Sequence, residues 1–381
     1  MICYSSYSID DDDSDWDSSD DDDEIVPETD QEDSQWLNGA ETEDDETNED
    51  TQPNKPDIAN HPMIWRKNTN FAPNVQEFVS YPSKVKDDQL QVLLNANPSP
   101  LKLLQYFLDE TMVEEIIYES ARYSKTIKTS YPNSLKNFKP FEKEEFWAFL
   151  GLNLLMGVVK KPTLKSYWST NSILTTRVFN ETMSRHRFEQ ILRSLHMADN
   201  RFPSKDDRFW KFGSFYPKII EKFQNALNPG KFLSVDETLV GFKGRLSFKQ
   251  YIPSKRSRFG AKFFVLVDHD TKFVVKLLAY QGKNTKYAIQ PAELGSGGAA
   301  AFSLINEFFG RNHILVTDSR FSSPNFAAKL LENNTYLLGT VTKRRKNMPK
   351  MYGKLKKREV ETFCTDKILV ERYIQFIRTQ V

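Results

Sequence analysis

The spacing of apolar residues changes its period along this chain. Up to about Asp57 they are scattered singly among Asp, Glu, Ser and Thr, with acidic runs at Asp10 to Asp13 and Asp20 to Asp23. Such a stretch buries too little apolar surface to offset the entropy lost on ordering, so residues 1–57 are expected to form a disordered acidic tail. From Pro98 the spacing is helical: Leu101, Leu104 and Leu108, then Val113, Ile116, Ile117 and Ala121, recur on one face. Glu142 to Val159 is apolar nearly all round, which predicts a buried central helix. Another helix is expected from about Ser184, with Phe188, Ile191, Leu192 and Leu195 on one face. Its Arg185, Arg187 and Arg193 fit either phosphate contact or a solvated helix face.

After Asn228-Pro229-Gly230 the period becomes that of strands. Phe232 to Asp236, Ala261 to Val267 and Phe273 to Tyr280 read as three strands, the last two joined by a polar turn at Asp268 to Lys272. A helix from about Ala299 to Phe309, a strand Ile314 to Asp318, a helix Pro324 to Glu332 and a strand Tyr336 to Val341 follow. This order is that of a ribonuclease-H-like nuclease core. The predicted class is therefore α/β: a ribonuclease-H-like mixed sheet core at 231–381, preceded by a helical domain at 58–230 and the acidic tail.

Charge changes the picture. Lys plus Arg and Asp plus Glu both number 52 among 381 residues, but the first 54 residues hold 22 of the acids and no base. The remainder carries 30 acids against 52 bases, a composition suited to a polyanion such as nucleic acid. Cys3 and Cys364 are the only cysteines and no Cys/His spacing accompanies them, which argues against a disulfide framework and a zinc site. The longest apolar run, Phe146 to Val159, is shorter than a bilayer span, so a membrane partner is not expected.

Two aspartates end predicted neighbouring strands, Asp236 after Leu233-Ser234-Val235 and Asp318 after Ile314-Leu315-Val316-Thr317. Carboxylates on rigid strand ends suit Mg2+ or Mn2+, and in-line cleavage of a phosphodiester uses two such ions to activate the nucleophile and neutralise the leaving oxygen. An Asp ending a strand also serves as a turn former or helix cap. Basic residues follow Asp236: Lys243, Arg245 and Lys249, then Lys255, Arg256, Arg258 and Lys262, flanked by Phe248, Tyr251 and Phe259. They read either as a DNA-binding surface with stacking rings or as a solvated hairpin whose aromatics lie in the core. Lys343-Arg344-Arg345-Lys346 forms a second cluster suited to phosphate or nuclear import.

Several ordered motifs resemble the piggyBac family of DDE transposases over most of residues 75–355. They include Pro98-Ser99-Pro100-Leu101, Phe149-Leu150-Gly151-Leu152, Tyr167-Trp168-Ser169, Met183-Ser184-Arg185-His186-Arg187-Phe188, Leu233-Ser234-Val235-Asp236-Glu237, Phe242-Lys243-Gly244-Arg245 and Lys249-Gln250-Tyr251-Ile252-Pro253. The resemblance implies that the family's first two catalytic and metal-binding acids fall on Asp236 and Asp318. It also implies a double-stranded DNA partner, a nuclear location and no small-molecule substrate, and it leaves a homodimer open. Where the family usually has Asp-Asn, an aromatic, Phe-Thr-Ser, this chain has Asp318-Ser319-Arg320-Phe321-Ser322-Ser323. The family's downstream third acid and cysteine-rich zinc tail are not matched, and Glu359, Glu361, Asp366 and Glu371 are the acids left after Val341. The resemblance thus implies a truncated core and a DNA-binding protein without a complete catalytic site; the alternative is an active cut-and-paste transposase.

Overall fold

A computed structural model describes residues 75–129, 135, 137–253, 255, 257–342 and 344–348, together with the backbone of three short strands at 65–67, 362–366 and 373–377. The chain divides into two units, of which the smaller, Ser8–His61, lies outside the described residues, as does the predicted acidic tail.

In chain order the elements are β1 (Trp65–Lys67), α1 (Asp88–Asn95), α2 (Pro100–Phe107), α3 (Glu110–Ile127), α4 (Lys143–Val158), α5 (Arg177–Thr182), α6 (Arg185–Ser194) and α7 (Phe215–Ala226). Then come β2 (Phe232–Gly241), β3 (Gln250–Tyr251), β4 (Phe259–Asp268), β5 (Val274–Ala279), α8 (Pro291–Ile305), β6 (Ile314–Thr317), α9 (Pro324–Glu332), β7 (Tyr336–Gly339), β8 (Thr362–Asp366) and β9 (Tyr373–Ile377).

The helical run expected from Pro98 is two helices, because Asp109 interrupts it: its carboxylate accepts a hydrogen bond from Met112 N and starts α3. Ser184 starts α6 in the same way, through Arg187 N. Helices α3, α4 and α6 close one hydrophobic core around Val113, Ile116, Phe149, Leu152, Phe188 and Ile191. Helix α4 is not buried all round, since these partners cover only one side. Leu154 is 46 % and Val158 82 % exposed.

A second core lies against the main sheet, whose strand order is β5-β4-β2-β6-β7, with the short β3 pairing with the outer end of β4. Strands β2, β4 and β5 are antiparallel, and β6 and β7 join β2 in parallel. Parallel neighbours need crossovers, which α8 and α9 provide while covering the apolar row of Leu233, Val235, Phe264, Leu266 and Leu315. This is the ribonuclease-H-like arrangement expected from the element order. Strands β1, β8 and β9 form a separate antiparallel sheet. Among the described residues no helix is long and apolar enough to cross a membrane.

Candidate active site and nucleic-acid interface

The parallel pairing of β2 with β6 runs from Phe232 opposite Ile314 to Val235 opposite Thr317. One step further the same register brings Asp236 beside Asp318, on strands that lie about 5 Å apart in any sheet. Both side chains are exposed. Each is oriented through one oxygen by a backbone N–H, Asp236 by Glu237 N (2.8 Å) and Asp318 by Arg320 N (2.9 Å).

The turn that follows β6 is held from three sides. Ser322 donates to the Asp318 carbonyl (2.9 Å) and shares a hydrogen bond with Thr317 (2.7 Å). The guanidinium of Arg345 donates to the carbonyls of Ser319 (2.9 Å) and Arg320 (2.6 Å). Helix α8 presses on it at Gly297, where an added Cβ would meet the Arg320 carbonyl oxygen at 2.5 Å, so only glycine permits the approach. The Ser319-Arg320 departure from the family pattern thus sits in a turn whose backbone is well supported.

Glu237 follows Asp236 and is mostly buried, and one carboxylate oxygen has no hydrogen-bond partner. Burial pushes its pKa up, and the hydrogen bond to and charge of Asp236 push the same way, against Arg320 and Lys255. Lys255 donates to the Glu237 carbonyl (3.3 Å) and lies 3.9 Å from its carboxylate. The turn after β3 is thereby folded back toward the aspartates.

The predicted basic surface divides. Lys243, Arg245 and Arg258 are exposed and Lys249 and Lys255 half-buried, on the arm where β2, β3 and β4 end. Lys262 does not belong there. It is 2 % exposed, with its ammonium 4.4 Å from the Tyr280 ring and 5.2 Å from that of Phe264, so it stabilises the interior and is shielded from phosphate. The aromatics divide as well. Phe248 is buried and stacks on Phe209 (4.6 Å), whereas Tyr251 and Phe259 are about half exposed. In the second cluster Arg344 and Lys346 are exposed, while Arg345 is engaged with the turn after β6. Arg256, Lys343, Glu359, Glu361 and Glu371 lie outside the described residues, and Asp366 ends β8.

A hard divalent cation fits the exposed oxygen donors of Asp236 and Asp318, and a tetrahedral zinc site does not. Among the described residues, no three His, Cys, Asp or Glu side chains gather as metal ligands. Arg345 belongs by its spacing to the second basic cluster, yet its guanidinium is taken up by the Ser319 and Arg320 carbonyls. Glu237 is visible in the sequence only as the neighbour of Asp236, and Gly297 carries no signal in its spacing.

The family model described as Transposase IS4, of the DDE type, matches residues 99–371. The human PiggyBac transposable element-derived protein 3 is 29 % identical over 248 residues, 64 % of this chain and 40 % of that protein. The human PiggyBac transposable element-derived protein 2 is 24 % identical over 260 residues, 67 % of this chain and 42 % of that protein. The chain therefore spans under half the length of these curated relatives. A piggyBac transposase solved in a synaptic complex with hairpin DNA shares its fold, with a TM-score of 0.62 and 21 % identity over 77 % of this chain and 63 % of that one. Matched along most of its length by the family model and in fold by the transposase, the chain belongs to the Transposase IS4 family of DDE transposases, among its piggyBac-related members.

Proposed function

We propose that this chain is a transposase-derived, nuclear DNA-binding protein. Its exposed basic arm holds duplex DNA beside a two-aspartate site that takes one divalent cation weakly. The carrying observation is the β2–β6 register, which leaves Asp236 and Asp318 exposed side by side, next to an arm bearing Lys243, Arg245, Lys249 and Arg258. Mg2+ or Mn2+ at the two carboxylates would supply Lewis-acid stabilisation of a phosphate oxygen. The chain's own residues do the rest: the arm neutralises backbone phosphates, and the turn fixed by Arg345 and Ser322 orients Asp318.

Among the described residues two carboxylates gather there, and two alone would not neutralise the two cations that in-line displacement requires, so these residues support DNA binding more directly than cutting. The second reading, active cut-and-paste transposition, draws on the same aspartate pair. It gains if excision of matched element ends occurs and disappears in Asp236→Ala. For binding itself, gel shifts across a salt series should give affinity falling steeply and linearly on logarithmic axes. Joint replacement Lys243→Ala and Arg245→Ala should lower that slope by about two. An unchanged slope would remove the arm from the DNA path.

A further inference from the structure

The end of the arm holds more than charge. Strands β3, β4 and β2 pair side by side there: Tyr251 lies opposite Phe259, and Phe242 N donates to the Phe259 carbonyl (3.0 Å) one step beyond the Gly241–Gly260 pair. Three aromatic residues thus occupy one row across three strands. Each is about half exposed: Tyr251 48 %, Phe259 46 % and Phe242 46 %. The Tyr251 and Phe259 rings pack against each other, with centroids 4.6 Å apart and planes inclined by 32°. The Phe242 ring lies against Gly244, where an added Cβ would meet it at 2.5 Å.

Aromatic side chains of this size are ordinarily drawn into a core, as Phe248 is a few residues away. Here cations surround them instead. The Lys249 ammonium is 5.9 Å from the Phe259 ring centroid and donates to the Gly244 carbonyl (3.2 Å), closing the turn. Lys243, Arg245 and Arg258 are exposed in the same arm. A paired duplex hides its base faces and offers phosphates, sugars and groove edges, none of which stacks on an open ring, so a row of such rings adds little to the hold on continuous duplex. Unpaired bases present π-faces to the rings and phosphates to the cations, and a sheet-borne aromatic row among basic residues is a recurrent platform for single strands.

We infer that the Tyr251–Phe259–Phe242 row stacks unpaired bases, so that the arm takes DNA with a splayed or single-stranded segment in preference to continuous duplex. This rests on the proposed reading that DNA is the arm's ligand and adds the form of the DNA. Tyr251 and Phe259 pack too closely to admit a base between them, and the bases stack on the outward ring faces. The charge around the row favours a polyanion over an apolar protein partner.

The test uses the full chain and fluorescence anisotropy. Its probes are a forked DNA with unpaired arms of about five thymidines and a blunt duplex of the same paired length. The wild type should bind the fork about tenfold more tightly than the blunt duplex, and in the joint variant Tyr251→Ala, Phe259→Ala the ratio of the two affinities should fall to about one. The joint variant Tyr251→Leu, Phe259→Leu, which keeps apolar bulk but removes the π-faces, should lose it too. A 2-aminopurine in the unpaired arm should change its fluorescence only with the aromatic chain. Equal affinity of the wild type for fork and blunt duplex, or an undiminished preference in both variants, overturns the inference and leaves the duplex-binding reading standing. A wild type that binds neither DNA overturns that reading and the inference with it.

Discussion

The two ends of the β2–β6 strand pair use the same side-chain chemistry to opposite purposes. Where the strands begin, Asp268 is 1 % exposed and accepts hydrogen bonds from Gly230 N (2.7 Å), Thr271 N (3.0 Å), Thr271 Oγ1 (2.6 Å) and Lys84 Nζ (3.0 Å). Burial alone would raise its pKa, but these bonds outweigh burial and hold it below the ordinary value. His313, fully buried beside it, pairs its Nδ1 with the Gly230 carbonyl (2.8 Å) and packs on Phe78. Where β6 ends, Asp236 and Asp318 are exposed with one backbone bond each, and Glu237 keeps an unpartnered buried oxygen. A strand-end aspartate is therefore not a site by its position. Unused bonding capacity separates the open end from the sealed one.

That contrast predicts unequal costs. Asp268→Ala should destabilise the chain by about 3 kcal/mol, because it leaves the donors of Gly230 and Thr271 and the Lys84 charge without their acceptor. Asp236→Ala and Asp318→Ala should each stay within about 0.5 kcal/mol of the wild type. Denaturant unfolding compares the three, and equal losses would erase the distinction between the ends.

Acid should act at the sealed end next. Burial pushes the His313 pKa down to about 4, only partly offset by its bond to Gly230. A histidine held neutral stabilises the fold above its ordinary pKa of 6.5, and that contribution is lost as pH falls through the folded value. Stability should drop by roughly 2 kcal/mol between pH 6.5 and 4 on this account, and His313→Gln should flatten that slope. A slope unchanged in the variant would assign the acid sensitivity to other groups.

The smallest effect has the opposite sign. The folded Glu237 carboxyl has a raised pKa, so its contribution is present below its ordinary 4.5 and is lost as pH rises through the folded value. Glu237→Gln should stabilise the chain at neutral pH by less than about 1 kcal/mol, and the gain should vanish below pH 4.5. Thermal melts at both pH values decide it; a loss of stability at neutral pH would mean that the charged form is needed in the fold.

Much of this architecture is legible in the sequence because local signals agree with the packing. Helix α9 spans the predicted Pro324 to Glu332, with Ser323 capping Phe326 N and Pro324 in its first turn. Strands β2, β4 and β6 are apolar enough to read directly, although β2 runs on to Gly241 because Glu237 to Val240 continue its pairing with β4. What escaped depends on distant partners. Helix α1 is only eight residues long and buries only Leu90, with Leu93 packed beside it against distant partners such as Tyr106 and Ala226. Helix α8 starts at Pro291, not near Ala299, because Gly295, Gly297 and Gly298 read as a loop; Gly295 does bend it, at φ 75°, and Gly297 serves the contact with Arg320. Lys262 reads as surface charge, yet β4 is covered on both faces at that point and Tyr280 receives its ammonium. For the candidate site, the aspartates and the arm are visible in the motif run. The division of the basic residues between arm, interior and turn is set by burial, which spacing does not encode.

The most direct test of the open end is Mn2+ binding followed by electron paramagnetic resonance in the presence of duplex DNA, comparing the wild type with Asp236→Asn and Asp318→Asn. One weak Mn2+ site is expected in the wild type, lost in each variant while DNA remains bound. Mn2+ binding that is the same in all three chains would contradict it.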